Sequence, residues 1–248
     1  MYGPPGCGKT LLARATAGQC NANFNNVAIS DVLDMWFGES ERKLTAIFAA
    51  ARASAPTVLF FDELEGLAAN RSNSRQNNPL AGLVSQFLTE MDGFADNNGG
   101  LLVLGATNVP WAIDPAFRRP GRFDRVLFIP PPDRAARAAI LKIQLDGRPT
   151  DKDVDLAWIA DHSAGFSGAD LEHVVEEATD AAIEASVAAK REVPVQQKHL
   201  RSALARARST THEWFTSARE HAAKNNEGGQ YDEMLRYLEH NAKPGKSP

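Results

Sequence analysis

The chain is poor in the residues that would let it be stable by any means other than a packed core. It has two cysteines, Cys7 and Cys20, in 248 residues, too few for a disulfide framework in a chain of this size. It has no basic surplus. The formal net charge is −4 and the pI about 5.9, whereas proteins that neutralise a phosphate backbone ordinarily carry an excess of Lys and Arg. A nucleic-acid partner is therefore not expected. No apolar stretch approaches the roughly 20 residues that span a bilayer, and the first residues lack the basic-then-apolar order of a secretory leader. The reading is of a cytoplasmic chain without a membrane partner. Six histidines, at 162, 173, 199, 212, 221 and 240, show neither metal-ligand spacing nor a His-Glu-x-x-His pair. No Asn-Lys-x-Asp tetrapeptide is present to read guanine. His-Arg-Asp and Asp-Phe-Gly are both missing, which excludes a protein kinase.

What is present is an ordinary globular composition, 43% hydrophobic and 23% charged, enough for a sizeable core. Helices are predicted over 10–19 and 41–53, the latter with Leu44, Ile47 and Phe48 on one face. Another is predicted over 83–91. Short strands are predicted over 26–30, 101–106 and 125–129. The run Thr57-Val58-Leu59-Phe60-Phe61 is apolar throughout, as in a strand covered on both faces of a parallel sheet. This alternation argues for a layered α/β fold. At Pro130-Pro131-Pro132 the character changes, and the remainder reads as helical. Asp133 caps the first of these helices. Ser167 and Asp170 open a long one towards Lys190, and Thr210 with Glu213 repeats that capping pattern. After Gly228-Gly229 a last helix carries Tyr231, Met234, Leu235 and Leu238 on one face.

The chemistry is concentrated near the start. Gly3-Pro4-Pro5-Gly6-Cys7-Gly8-Lys9-Thr10 fits the phosphate-loop pattern GxxxxGK[ST]. Its glycines let backbone N–H groups converge on phosphates at the positive end of a helix. Lys9 would hold the β- and γ-phosphates, and the Thr10 hydroxyl would ligate Mg²⁺. The buried strand that normally delivers such a loop reads as missing, since only Met1 and Tyr2 precede Gly3. About 50 residues on, Val58 to Phe61 end in Asp62-Glu63. Asp62 suits the magnesium site, and Glu63 suits polarising the attacking water. Alone, such a pair would be a helix cap or a solvated turn, but together with the loop it makes a phosphoryl-transfer site.

With these motifs in place the chain resembles a AAA ATPase domain, of the kind found as the second ATPase domain of valosin-containing protein and its Cdc48-type relatives. The likeness runs from Gly3 to about Ala207. It implies a P-loop NTPase fold with a parallel sheet between helices, followed by a small all-helical lid. The divisions are a large nucleotide-binding part over 1–131, truncated at its N-terminus, a lid over 132–207 and a helical extension over 208–248. It implies ATP and Mg²⁺, with Pro5, Gly6, Cys7, Gly8, Lys9, Thr10 and Leu11 around the nucleotide and Thr10 and Asp62 at the metal. Asn108 matches the residue that orients the attacking water. Arg119 and Arg122 match arginine fingers that reach a neighbouring subunit's nucleotide. Gly168 and Ala169 match the turn that packs on adenine, and Gln144 falls near the ribose and base. Trp36 and Phe37 match a pore loop that grips an unfolded polypeptide. Asp92-Gly93-Phe94 matches the stretch that couples one subunit's nucleotide state to the next.

The resemblance also implies a homo-oligomeric ring, six-membered by the family's habit, that unfolds or remodels polypeptides, with adaptor proteins as further partners. Two alternatives stay open: an assembly module that binds nucleotide without turnover, and a AAA motor acting on another polymer. The departures are Gly82, where relatives often have a basic residue, and Glu65-Gly66, where they usually have Asp-Ala or Asp-Ser.

Overall fold

The computed structural model describes residues 1–33, 38–67, 79–92, 99–226 and 228–241. The chain divides into two compact units, one of Met1–Gly3 with Gly8–Ile129 and one of Pro4–Cys7 with the chain from Pro130 onward. Among the described residues no helix is long and apolar enough to cross a membrane.

The first unit is built on a parallel sheet in the order β1 (Asn23–Ala28), β2 (Thr57–Asp62), β3 (Leu101–Gly105). Both faces of β2 are covered, which is why its run is apolar without alternation. Leu59 and Phe61 join the larger core cluster, packed with Phe48 of α3 (Glu39–Ala53) and Phe87 of α4 (Pro79–Asp92). Phe60 points the other way, onto Ala13 of α1 (Lys9–Gln19). Ring centroids 4.6 Å apart for Phe61–Phe87 and 5.6 Å for Phe48–Phe61 give the offset and tilted aromatic contacts that add to area burial. The short helix α2 (Ile29–Val32) follows β1 directly.

Three expectations shift here. The first strand of the chain is displaced to Asn23–Ala28 from the predicted 26–30, because pairing of Asn23 with Thr57 through Ala28 with Asp62 sets its bounds. Its own polar Asn-rich sequence carries no alternation that could have done so. The predicted strand over 125–129 is reduced to a single bridge at Phe128. Its partner there is Tyr2, and Gly3 already turns the chain into the loop. Tyr2 itself fills the slot where the sequence showed no strand. It is 2% exposed and bridges Thr107 and Phe128 in parallel sense, donating to Leu127 O at 2.9 Å and accepting from Ile129 N at 2.8 Å. A Cβ at Gly82 would meet only the movable end of the Glu41 side chain, so the structure gives no packing reason for glycine there.

The second unit is helical: α5 (Arg134–Leu145), α6 (Leu156–Asp161), α7 (Gly168–Ala189), α8 (Gln197–Arg206), α9 (Thr211–Lys224) and α10 (Asp232–Asn241). Its core joins Leu141, Ile159, Leu171, Val174, Val175 and Leu200. Asp133 caps α5 by accepting from Ala136 N at 2.8 Å. Ser167 and Asp170 form the reciprocal capping box at the start of α7. The repeat of that pattern at Thr210 does not form, because the Thr210 hydroxyl donates instead to Asp170 Oδ1 at 2.9 Å. The buried Asp170 thereby carries donors from two segments, with Thr210 N also donating to its Oδ2 at 3.2 Å.

Candidate active site

In the first unit, α1 starts at Lys9 with Gly8 as N-cap at φ 82° and no side-chain cap. The N-cap residue thus offers no side chain to the start of the helix, the arrangement that receives anions. Lys9 is 7% exposed, and its Nζ donates to Gly3 O at 2.9 Å and to Asn108 Oδ1 at 2.7 Å. These are neutral oxygens that a phosphate can replace. The Thr10 hydroxyl donates to Asp62 Oδ2 at 2.7 Å, so a loop residue and the end of β2 meet across 52 positions of sequence. The other oxygen, Asp62 Oδ1, accepts from Glu63 N at 3.0 Å. Glu63 is exposed, with a left-handed backbone at φ 55°, so it stands clear of the strand end. Such a conformation in a residue other than glycine carries a strain that surrounding structure must hold.

The chain returns at Leu64, whose N–H donates to Ala106 O at 3.0 Å, and a 3-10 turn runs over Leu64–Leu67. From this turn Glu65 Oε1 accepts from Asn108 N at 3.2 Å. Its other oxygen, Oε2, is buried with no hydrogen-bond partner among the described residues. Sequence reasoning assigned Glu65 no role. The signal available was a third acidic residue, two positions after Glu63, in a place where a shorter one was expected.

The magnesium and triphosphate expected from the sequence fit these residues. A hydroxyl and a carboxylate, both hard oxygen donors, are paired at one point. Among the described residues no group of three or more His, Cys, Asp or Glu could hold a metal unaided, so remaining ligands would come from phosphate and water, as magnesium prefers.

Arg119 is exposed, whereas Arg122 is held inside its own unit. Arg122 Nε and an NH2 hydrogen donate to the two Asp92 oxygens, both at 2.7 Å, and its other terminal nitrogen donates to Ala116 O at 2.7 Å. The side-chain hydrogen bond from Arg122 holds the Asp92 carboxyl below its ordinary range, and Asp92 in turn raises Arg122.

In the second unit, Gly6 lies against the start of α7, where Ala169 N donates to Gly6 O at 3.4 Å. A Cβ on Gly168 would sit 3.1 Å from that same carbonyl oxygen. Pro5 and Cys7 flank Gly6, and Cys7 is partly exposed. In the first unit, Leu11 of α1 is largely exposed. Gln144 is half-buried on α5, one turn beyond Ile140, whose Cδ1 would meet a Cβ on Gly168 at 4.0 Å. Trp36, Phe37, Gly93 and Phe94 lie outside the described residues.

Residues 1–131 match the family described as "ATPase family associated with various cellular activities (AAA)", and residues 153–202 match the "AAA+ lid domain". The chain belongs to the AAA family of ATPases. It is 43% identical over 219 residues to the Cell division cycle protein 48 homolog of Archaeoglobus fulgidus, a match covering 84% of this chain and 30% of that relative. The chain thus spans about a third of that protein's length. AAA ATPases of this type use ATP and Mg²⁺, in agreement with the donor set at Thr10 and Asp62.

Proposed function

We propose that this AAA chain hydrolyses ATP as one subunit of a homo-oligomeric, six-membered ring, and that hydrolysis drives the threading or unfolding of polypeptides. The observation that carries the ATPase part is the convergence of Thr10 with Asp62 and of Lys9 with Asn108, each at 2.7 Å.

In this reading Lys9 exchanges Gly3 O and Asn108 Oδ1 for phosphate oxygens. The N–H groups at the start of α1 take the remaining phosphate charge. The Thr10 hydroxyl and Asp62 would hold magnesium, which would supply neutralisation of phosphate charge. Glu63 polarises the attacking water and accepts its proton at the carboxylate, and Asn108 orients that water. Arg119 and Arg122 serve a neighbouring subunit's nucleotide, where a guanidinium in trans contributes about 10³–10⁵ in rate. Pro5, Gly6, Cys7, Gly8 and Leu11 line the nucleotide, with Gly168, Ala169 and Gln144 towards its base and ribose. Trp36 and Phe37 are the proposed grip on substrate, and adaptors would deliver it. A cytoplasmic location suits such a role.

The test is Mg²⁺-dependent ATP hydrolysis by the chain and by Glu63→Gln. Hydrolysis should fall by about 10²–10⁴-fold in Glu63→Gln while calorimetric nucleotide uptake persists. Equal, flat rates in both proteins would instead favour a nucleotide-binding assembly module. Trp36→Ala should keep basal hydrolysis and lose unfolding of a tagged substrate, and equal unfolding by both would remove the grip.

A further inference from the structure

Two of the contacts that hold Asn108 differ in kind. Its side-chain oxygen accepts from Lys9 Nζ at 2.7 Å, and its backbone N–H donates to Glu65 Oε1 at 3.2 Å. The first hold is one that a triphosphate competes for, because Lys9 is the loop's phosphate ligand in the proposed function. The second is independent of nucleotide. It comes from a turn that packing fixes on both sides. Leu64 packs so closely on Gly105 that a Cβ there would collide with its Cδ1, and Gly66 sits where a Cβ would come within 3.0 Å of the Ile29 side chain. Leu64 and Leu67 are both buried. The Glu65 carboxylate thus leaves a wedged backbone and meets the Asn108 backbone at a fixed distance.

The contact does little for folding alone. One carboxylate oxygen satisfies a backbone donor, while Oε2 is buried with no partner among the described residues, and the cost of an unmatched buried acceptor offsets what the one bond returns. Local rules broken in this way, without an evident gain in stability, point to function.

We propose that Glu65 is a positioning residue for hydrolysis, keeping the Asn108 backbone in place when Lys9 leaves the Asn108 side chain for the phosphates. The inference rests on Asn108 as the residue that orients the attacking water. Glu65 is given no direct part in the chemistry. It acts through Asn108, whose displacement by about 1 Å would misalign the reacting water at a cost of up to about 10²-fold in rate.

The experiment is steady-state MgATP hydrolysis and thermal melting of the full chain carrying Glu65→Ala, Glu65→Met, Glu65→Gln, Asn108→Ala and the double substitution Glu65→Ala with Asn108→Ala. Glu65→Ala should lower kcat by about 10-fold or more and leave KM for MgATP within about twofold. Glu65→Met keeps the length and bulk without a carboxyl acceptor and should show the same loss with the melting temperature unchanged or raised. Glu65→Gln, which keeps an oxygen for Asn108 N–H, should restore kcat to within about threefold. The double variant should be no slower than Asn108→Ala, because the two residues act in series. Full rate in Glu65→Ala and Glu65→Met beside a slow Asn108→Ala overturns the inference and spares the ATPase reading. Losses that multiply in the double variant overturn it equally. Full rate in Asn108→Ala removes the role of Asn108, and the inference with it.

Discussion

Arg122 grips Asp92 with a two-pronged ion pair, both N–H···O distances 2.7 Å, and donates a third hydrogen bond to Ala116 O. Asp92 is the last residue of α4 and the first of Asp92-Gly93-Phe94, so the arginine turn is tied to the end of that helix. The neighbouring Arg119 is exposed, and the two arginines stand in different surroundings. Arg119→Ala should lower hydrolysis in the assembled state and leave the melting temperature within about 1–2 °C. Arg122→Ala should lower both. Arg122→Lys should do nearly as badly, because an ammonium cannot reproduce the planar fork. Melting curves for the three variants check this, and a stable, active Arg122→Lys would contradict it.

A methyl group is predicted to be too much at Gly6. Its φ of 72° lies in the left-handed region, and a Cβ would approach Ala169 Cβ to 2.7 Å and Ser167 Oγ to 2.8 Å. Ser167 Oγ is also the acceptor for Asp170 N, so pushing it aside disturbs the cap of α7. Gly6→Ala should cost about 1–3 kcal/mol in stability, read by chemical denaturation. An unchanged midpoint would show that the loop relaxes freely.

Asp170 is predicted to matter for the fold more than its acidic class suggests. It accepts from Ser167 N, Thr210 N and the Thr210 hydroxyl. Beside it, Ser209 and Thr211 hydroxyls both donate to Gly165 O, at 2.7 and 2.6 Å. Asp170→Ala should cost about 2–3 kcal/mol through stranded buried donors. It should also loosen the junction between α7 and α9, seen as faster amide exchange at Thr210 and Thr211. Exchange that stays slow at those amides would refute the role.

His199 gives the chain an acid sensitivity of definite sign. Its Nδ1 accepts from Gln196 N at 3.2 Å in the cap of α8, which requires the neutral ring. Burial, and then Lys198, push its pKa below the ordinary 6.5. The unfolded chain therefore binds this proton at a pH where the folded chain does not. The stabilisation is fully present above about pH 6.5 and is lost as pH falls from there towards the folded value. Stability measured between pH 7.5 and the onset of carboxylate titration should decline in the wild type and flatten in His199→Gln. Parallel curves would remove His199 as the cause.

Sequence alone determined the motifs whose residues stand side by side. The loop from Gly3 to Thr10 and the pair Asp62-Glu63 were legible because phosphate binding demands glycines, a lysine and a hydroxyl at fixed spacing. The long helices were legible from their caps and apolar spacing, and the apolar run at 57–61 announced a strand buried on both faces. Tertiary structure alone decided contacts between groups that no local pattern connects. Arg122 meets Asp92 across 30 positions, Thr210 is drawn to Asp170 across 40, and Glu65 reaches Asn108 across 43. It also set the bounds of β1, whose Asn-rich sequence is shaped by pairing with β2. The physical reason is the same in each case: local preference selects an element, but a donor far along the chain finds its acceptor only when packing has fixed both backbones.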